Sequence, residues 1–180
     1  MKVALETPLY PPDIAEPAPY VKEVARRLSA KHQVTIVTYA HIPEKVPGVS
    51  LITVNKHRSL PLRLLSYTIA LWKASLSADL IYAQNGASVE LPVSIVTLFT
   101  RVPLILRIGD KTAHTRAEKR PLFHVIERIA QKHATHVVTD TPLSKPEWLP
   151  FKEISTEEQN AYETSWEEHI DELERLFAHV

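Results

Sequence analysis

The alternation of short apolar segments with amphipathic ones constrains the fold of this chain more than any other feature of its sequence. Segments rich in β-branched residues, such as QVTIVTY at 33–39, predict strands, and the stretches between them place apolar residues at helical spacing. The predicted strands cover 2–7, 33–39, 50–55, 79–84, 103–108 and 136–140, and the predicted helices between them cover 19–31, 61–77, 89–99 and 121–133. Strands joined by helices become parallel neighbours, so we predict an α/β fold in three α/β/α layers, with a mainly parallel sheet of about six strands. We expect Ser59 to cap the second helix and Pro92 to lie in the first turn of the third.

The end of the chain departs from this alternation. Residues 141–155 contain three prolines and no periodic pattern, which is typical of a linker. Beyond them, Trp166, Ile170 and Leu173 form an apolar stripe on a helix predicted over 156–178, and the rest of that helix is acidic. We therefore predict a domain at 1–140, a linker at 141–156 and a C-terminal helix at 157–180 that packs back on the same domain.

The composition excludes several functional classes. The chain has no cysteine, which rules out disulfides, thiolate catalysis and cysteine-bound zinc, and no spacing of His, Asp and Glu resembles a metal site. Its 180 residues carry 21 basic and 21 acidic side chains, so no net charge favours nucleic acid as a partner. No secretory signal is visible, and we predict a cytoplasmic protein. Only three glycines are present and no glycine-rich phosphate motif occurs, so we expect no cofactor.

The carboxyl ends of the strands mark where a ligand would bind, because open parallel sheets collect ligands at that edge. The polar residues that follow the first, fourth, fifth and sixth predicted strands are Asp13, Glu16, Gln84, Asn85, Ser88, Arg107, Asp110, Lys111, His114, Arg116 and Asp140. Several of these positions also have a purely structural interpretation. Gly86 and Gly109 would then serve only as turn residues, and Asp110 would serve only as a helix cap.

Arg107 and His114 have structural interpretations of their own. Arg107 ends an apolar strand, so its side chain would be buried and would need a partner, for which Asp110 or Glu118 would serve. His114 lies among basic residues and would be a solvated loop histidine.

The segment at 55–77 combines basic and apolar residues, including Lys56, Arg58, Arg63 and Lys73 among leucines and isoleucine. Such a helix is typical of a segment that lies on a membrane surface. It is also typical of an ordinary crossover helix with a solvated basic edge, which is the interpretation that we favour. Both interpretations remain open, and membrane contact would be peripheral at most.

Three stretches resemble one family. The opening MKVALETPLYPPDIAEPAPYVKEVARRLSAKHQVTIVTY is similar to the start of GT-B glycosyltransferases of the family-four type, and PLILRIGDKTAHTRAEK and SWEEHIDELERLF resemble a later strand end and the final crossing helix of that family. The resemblance implies a Rossmann-like N-terminal domain, which is the acceptor side of such enzymes. The site residues that we predict on this basis and from their position after the strands are Asp110 and His114 as catalytic groups, and Asp13, Glu16, Asn85, Gly86, Arg107 and Gly109 as substrate-binding groups.

The sequence departs from the family pattern in two places. The paired glycines of the family would fall at Ala15 and Glu16, where side chains and a negative charge oppose the close approach of a diphosphate. Between the sixth strand and the last helix, residues 141–156 stand where the family has its whole nucleotide-sugar-binding domain. The resemblance therefore implies a hexosyltransferase-type domain that is inactive as a single chain and lacks the C-terminal donor-binding domain.

Several functional hypotheses follow from these departures. The domain would work with a separate donor-binding domain or chain. Alternatively, it would be a non-catalytic Rossmann-like binding or scaffold module, or an engineered stand-alone domain. Because the strand-end face would be exposed without its partner domain, a homodimer through that face is a further hypothesis.

Overall fold

Six parallel strands form one sheet in the part of the chain that this computed structural model describes, residues 1–15, 17–40, 42–139 and 155–180. The strands are β1 (Lys2–Thr7), β2 (Gln33–Tyr39), β3 (Val49–Val54), β4 (Leu80–Gln84), β5 (Leu104–Ile108) and β6 (His136–Thr139). They lie in the order β3-β2-β1-β4-β5-β6, and every neighbouring pair is parallel. The predicted Rossmann-like α/β fold is confirmed, and the strand order reverses direction between β1 and β4.

Helices cover both faces of the sheet, which is why its central strands are apolar almost throughout. The helices are α1 (Pro17–Leu28), α2 (Leu60–Ser75), α3 (Ala87–Thr100), α4 (Lys111–Lys119), α5 (Pro121–His133) and α6 (Thr156–Phe177). Tyr67 of α2, Val93 of α3 and Ala130 of α5 belong to the core on one face. Leu28 of α1 and Trp166 of α6 belong to the core on the other. The molecule therefore has the three layers that the sequence predicts.

Helix α6 packs against α1 and the sheet, as predicted. Ser155 and Glu158 cap it reciprocally: the Ser155 hydroxyl accepts from the Glu158 amide at 3.2 Å, and the Glu158 carboxylate accepts from the Ser155 amide at 2.8 Å. Trp166 is completely buried. The Arg27 guanidinium of α1 lies 5.4 Å from the centre of the Trp166 ring and donates to Glu163 at 2.7 Å. Apolar burial and charged contacts thus both hold α6 in place.

Helix α3 begins at Ala87 rather than at residue 89, so the expectation that Pro92 lies in its first turn is wrong. Pro92 lies inside the helix, where it has no N–H to donate to the carbonyl of Ser88. The hydroxyl of Tyr39, at the end of β2, donates to that carbonyl at 2.8 Å. The hydrogen bond that the proline removes is therefore replaced from the sheet.

Two other helix starts differ from the sequence analysis. Helix α4 is absent from the prediction, because its sequence KTAHTRAEK has no continuous apolar stripe. Ser59 does precede α2, but its side chain makes no capping hydrogen bond.

The described helices do not include one with both the length and the hydropathy needed to cross a bilayer. Residues 140–154, which hold most of the predicted linker, lie outside the described residues. The division of the chain at 1–140, 141–156 and 157–180 stays a prediction.

Candidate functional site

A cleft of about 550 Å³ opens at the carboxyl edge of the sheet. All strands run in the same direction, so the segments that follow β1 to β5 reach this edge together, and α2 to α5 supply the outer walls. Residues at or after the ends of these five strands line the cleft, among them Leu9, Tyr39, Lys56, Asn85 and Asp110. The sequence analysis did not expect contributions from the ends of β2 and β3.

Asn85 and Asp110 join the ends of β4 and β5. The Asn85 side-chain amide donates to the backbone carbonyl of Asp110 and accepts from its backbone N–H, each at 2.9 Å. The Asp110 carboxylate caps α4, since its Oδ1 accepts from the amides of Thr112 at 2.9 Å and Ala113 at 3.1 Å. The capping interpretation of Asp110 is therefore confirmed, and both Asn85 and Asp110 also lie on the wall of the cleft.

The two predicted site glycines serve different purposes. Gly86 has φ of 140°, which favours glycine, and it begins α3 at the cleft wall. At Gly109 the reason is close packing: a Cβ there would lie 2.0 Å from a guanidinium nitrogen of Arg107. A side chain at Gly109 would thus displace Arg107.

Arg107 points away from the cleft, into the layer formed by α1 and α6. Its guanidinium donates to the Gln84 side-chain oxygen at 2.9 Å and lies 3.9 Å from the centre of the Tyr20 ring. Among the described residues these partners stand in place of the expected Asp110 or Glu118. Strand alternation explains the direction, because Arg107 shares a sheet face with Ile105, which also belongs to that layer's core.

A histidine–carboxylate pair includes one residue of the cleft wall. Glu127 of α5 is buried on the cleft wall, and its Oε1 is 2.7 Å from Nδ1 of His114 on α4. The hydrogen bond that the Glu127 carboxylate accepts raises the pKa of His114 above its ordinary value, and the charges of Glu127, Glu118 and Glu90 act in the same direction. His114 is thus a partly buried helical residue rather than a solvated loop residue.

A second buried carboxyl group, Glu90 of α3, faces the same cleft. Burial, and then the nearby Glu127 carboxylate, raise its pKa to about 7, while a hydrogen bond from the Gly86 backbone and the charge of His114 act in the opposite direction. A group with this pKa can both accept and release a proton near neutrality.

Asp13 lies at the margin of the cleft. Asp13 is 3.5 Å from the Lys56 ammonium group, which lines the cleft. Glu16 lies outside the described residues. The structure thus brings Asn85, Gly86 and Asp110 together on the cleft wall.

His114 does not line the cleft itself, but it is hydrogen-bonded to Glu127, which does. Arg107 and Gly109 lie on the opposite side of the sheet. The sequence analysis missed Glu90 and Glu127, although a single carboxylate on the apolar face of each helix was a usable signal. The described residues contain no group of three or more His, Asp or Glu side chains that could hold a metal ion.

Replacing Glu127 with glutamine should lower the pKa of His114 towards its ordinary value, because this carboxylate makes the largest contribution to raising it. The measurement is a pH titration of the His114 imidazole by NMR. Glu118→Gln is the matched control, since Glu118 is exposed and its carboxylate lies 3.7 Å from the His114 ring; its effect should be smaller. An unchanged titration in Glu127→Gln would contradict the assigned hydrogen bond.

A doubly wound parallel sheet, with a ligand-sized cleft at its carboxyl edge, defines a Rossmann-like α/β domain. Comparison with known protein families gives the specific assignment: residues 16–145 match the glycosyl transferase 4-like domain. The chain belongs to this family. No curated protein sequence matches it.

Solved structures resemble the fold at low sequence identity. Anabaena HepE in complex with UDP has a TM-score of 0.53 at 18% identity, over 92% of this chain and 41% of that chain. The UDP-GlcNAc 2-epimerase of Methanocaldococcus jannaschii has a TM-score of 0.51 at 10% identity, over 76% of this chain and 38% of that chain.

A third structure, the C-terminal domain of the coenzyme A biosynthesis bifunctional protein CoaBC, has a TM-score of 0.53 at 11% identity, over 99% of this chain and 95% of that chain. At these identities the likeness concerns the fold alone. The chain spans about 41% of the length of HepE.

Proposed function

We propose that this chain is the acceptor-side domain of a glycosyltransferase, and that its cleft binds the molecule to which a sugar is transferred. The observation that carries the proposal is the buried carboxyl pair of Glu90 and Glu127 on the wall of a cleft at the carboxyl edge, in a chain of the glycosyl transferase 4-like family. Acidic groups at that edge suit an acceptor rich in hydroxyl groups, because carboxylates accept their hydrogen bonds.

Transfer of a sugar to a hydroxyl group releases the hydroxyl proton, and the cleft has groups that can receive it. Glu90 has a pKa of about 7 and lies beside Glu127. Asp110 uses Oδ1 for the helix cap, and its other carboxylate oxygen is the one we assign to the acceptor hydroxyl. His114 acts through Glu127, whose orientation it fixes, so we assign it a positioning role.

The donor nucleotide sugar requires a second domain or chain. Ala15 and Glu16 oppose close approach of a diphosphate to the loop after β1, where the resembling family has glycines. We therefore propose that this chain alone does not transfer sugar and that a donor-binding partner completes the cleft from the carboxyl edge of the sheet.

Calorimetric titration with UDP-glucose and GDP-mannose is the first test. We expect no submicromolar binding to this chain alone, and submicromolar binding would overturn the proposed need for a partner. The second test adds a donor-binding glycosyltransferase domain as a separate chain and measures nucleotide release that depends on an acceptor.

The second test has its own pair of variants. Glu127→Gln should lower the turnover of the pair by about 100-fold, because it removes the carboxylate that His114 orients and that helps to raise the pKa of the proton-accepting Glu90. Glu118→Gln, the exposed neighbour, should leave turnover unchanged. Acceptor binding without turnover in the presence of the partner would instead favour the non-catalytic binding module.

A further inference from the structure

The two helical layers expose very different surfaces. Among the described residues, eleven of the fifteen exposed large apolar side chains belong to α2 with its C-cap, α3 and α5, and none belongs to α1 or α6. These eleven, Leu60, Leu62, Leu65, Ile69, Leu76, Ile95, Leu98, Phe99, Leu122, Val125 and Ile129, form what we call the α2–α3–α5 face. The three helices pack side by side with α3 in the middle, so the exposed residues lie on one layer.

The exposed apolar residues form ordered stripes. On α2, Leu62, Leu65 and Ile69 follow each other at spacings of three and four residues, and Lys73 continues the stripe. The outer helix α5 repeats the pattern with Leu122, Val125 and Ile129, continued by Lys132. These spacings place each set on one side of its helix, directed away from the sheet.

The exposed charged side chains of the three helices that form this face are all positive. The carboxylates of α2, α3 and α5 are Glu90 and Glu127, and both are buried. The exposed charged residues of these helices are the cations Lys73, Arg128 and Lys132. Helix α6, on the opposite layer, is strongly acidic. The neutral overall charge of the chain therefore conceals a basic, apolar side and an acidic side.

The same three helices supply the apolar wall of the cleft. Leu64 of α2, Leu91 of α3 and Ile126 of α5 line it, and Leu60 and Leu122 both line the cleft and belong to the exposed face. The basic side chains on the cleft wall are Lys56, Arg63 and Arg116. The exposed apolar face and the apolar wall of the cleft thus meet at Leu60 and Leu122.

We propose that the α2–α3–α5 face seats the domain on an anionic lipid bilayer, and that the acceptor is a membrane lipid with an anionic headgroup. This inference rests on the proposed function in one respect, namely that the cleft binds the acceptor. The docking of the face on a bilayer does not depend on it. The apolar stripes insert among the acyl chains, the lysines and arginine meet the headgroups, and the lipid enters the cleft past Leu60 and Leu122. Its phosphate then lies towards Arg63, and the hydroxyl groups of its headgroup lie towards the carboxyl groups of Glu90 and Asp110.

The charges argue for a bilayer rather than a second copy of this chain. A homodimer through this face would bring Lys73, Arg128 and Lys132 of both copies together without an exposed carboxylate from the same helices to pair with them. Like charges across an interface oppose association, whereas anionic headgroups complement them.

Vesicle flotation tests the docking surface directly. The chain should float with vesicles of phosphatidylcholine mixed equally with phosphatidylglycerol, float much less with phosphatidylcholine alone, and lose binding as salt is added. Lys73→Gln with Arg128→Gln should weaken binding to the anionic vesicles by about 25-fold, at about fivefold for each charge removed. Equal binding to both kinds of vesicle, or to neither, would overturn the proposal.

A matched pair of double variants distinguishes binding through the α2–α3–α5 face from nonspecific binding of exposed apolar residues to vesicles. Leu62→Ser with Leu65→Ser should abolish flotation, whereas Ile14→Ser with Ile42→Ser removes two even more exposed apolar residues outside the face and should leave it intact. Circular dichroism and thermal melting confirm that both double variants fold. Loss of flotation in the second pair alone, or retention in the first, would overturn the assignment.

NMR of the chain distinguishes a lipid from its headgroup in the cleft. Monomeric dihexanoyl phosphatidylglycerol should shift the amide signals around Leu122 and Ile126, and glycerol 3-phosphate at the same concentration should not. Equal shifts with both compounds, or with neither, would overturn the lipid acceptor. Neither flotation nor these spectra require sugar transfer. The absence of lipid binding would therefore not contradict the proposed transferase role, and the absence of sugar transfer would not contradict the lipid binding.

Discussion

Replacement of Trp166 by alanine should lower the free energy of unfolding by about 3–5 kcal/mol, the loss typical of a fully buried aromatic side chain. Trp166 is completely buried between α6 and α1, and its ring lies 5.9 Å from that of Tyr20 and 5.7 Å from that of His169. The substitution leaves a cavity at the centre of the contact and removes the ring beneath the Arg27 guanidinium. Such a loss is a large fraction of the stability of a domain of this size.

Urea denaturation followed by circular dichroism measures the effect of Trp166→Ala. Glu168→Ala is the matched control, because it removes a large side chain from an exposed position of the same helix and should change stability by less than about 0.5 kcal/mol. If the two variants unfold at the same urea concentration, α6 does not contribute to the core in solution.

Replacement of Glu6 by glutamine should remove much of the loss of stability that the protein undergoes between pH 5 and pH 8. Glu6 is completely buried in β1, and burial raises its pKa to about 8 although the Tyr67 hydroxyl, 2.9 Å from its Oε2, acts in the opposite direction. At neutral pH the carboxyl group is therefore mostly protonated in the folded chain. The Tyr67 hydroxyl also lies 3.0 Å from the Val37 carbonyl, so a protonated Glu6 can donate to Tyr67 while Tyr67 donates to Val37.

The sign of the pH effect follows from the two pKa values of Glu6. The unfolded chain releases the proton near pH 4.5 and the folded chain near pH 8, so between these values the folded state holds more protons. The stabilisation is fully present below pH 4.5 and is lost as the pH rises through 8. At about 1.4 kcal/mol per pH unit, the loss attributable to Glu6 between pH 5 and pH 8 is about 4 kcal/mol.

The difference between the natural chain and Glu6→Gln isolates this contribution, because Glu90 adds a pH dependence that both share. Unfolding free energies at pH 5, 6, 7 and 8 should fall less steeply in Glu6→Gln, and the variant should be the more stable chain at high pH. Glu167→Gln makes the same chemical change at an exposed position and should leave the slope unaltered. Parallel slopes for the natural chain and Glu6→Gln would show that Glu6 ionises freely in the fold.

The strands and most helices could be predicted because each is encoded locally. QVTIVTY is β-branched between turn residues, and the Ser155–Glu158 pair with the Trp166 stripe marks α6 almost to its ends. Helix α4 could not be predicted in this way, because its nine residues, of which seven are polar, depend on the Asp110 cap and on contacts with α5 rather than on an apolar period.

The candidate site was harder to predict because it depends on which face of the sheet a strand residue takes. Asn85 and Asp110 meet as chain order implies, but Arg107, near them in sequence, points to the other layer. The proximity of Glu90 and Glu127 arises from the packing of α3 against α5, and no spacing in the sequence encodes it. The raised pKa of Glu90 was therefore outside the reach of sequence reasoning.

The position of α6 also affects how the chain is made. Tyr20, Val24 and Leu28 of α1 lie in a core that is closed by Trp166, Leu173 and Phe177. During translation α1 leaves the ribosome long before α6, so these apolar residues stay uncovered until α6 has also been made. A nascent chain with such a surface is a natural client for chaperones, and stalled synthesis before α6 should send it to degradation.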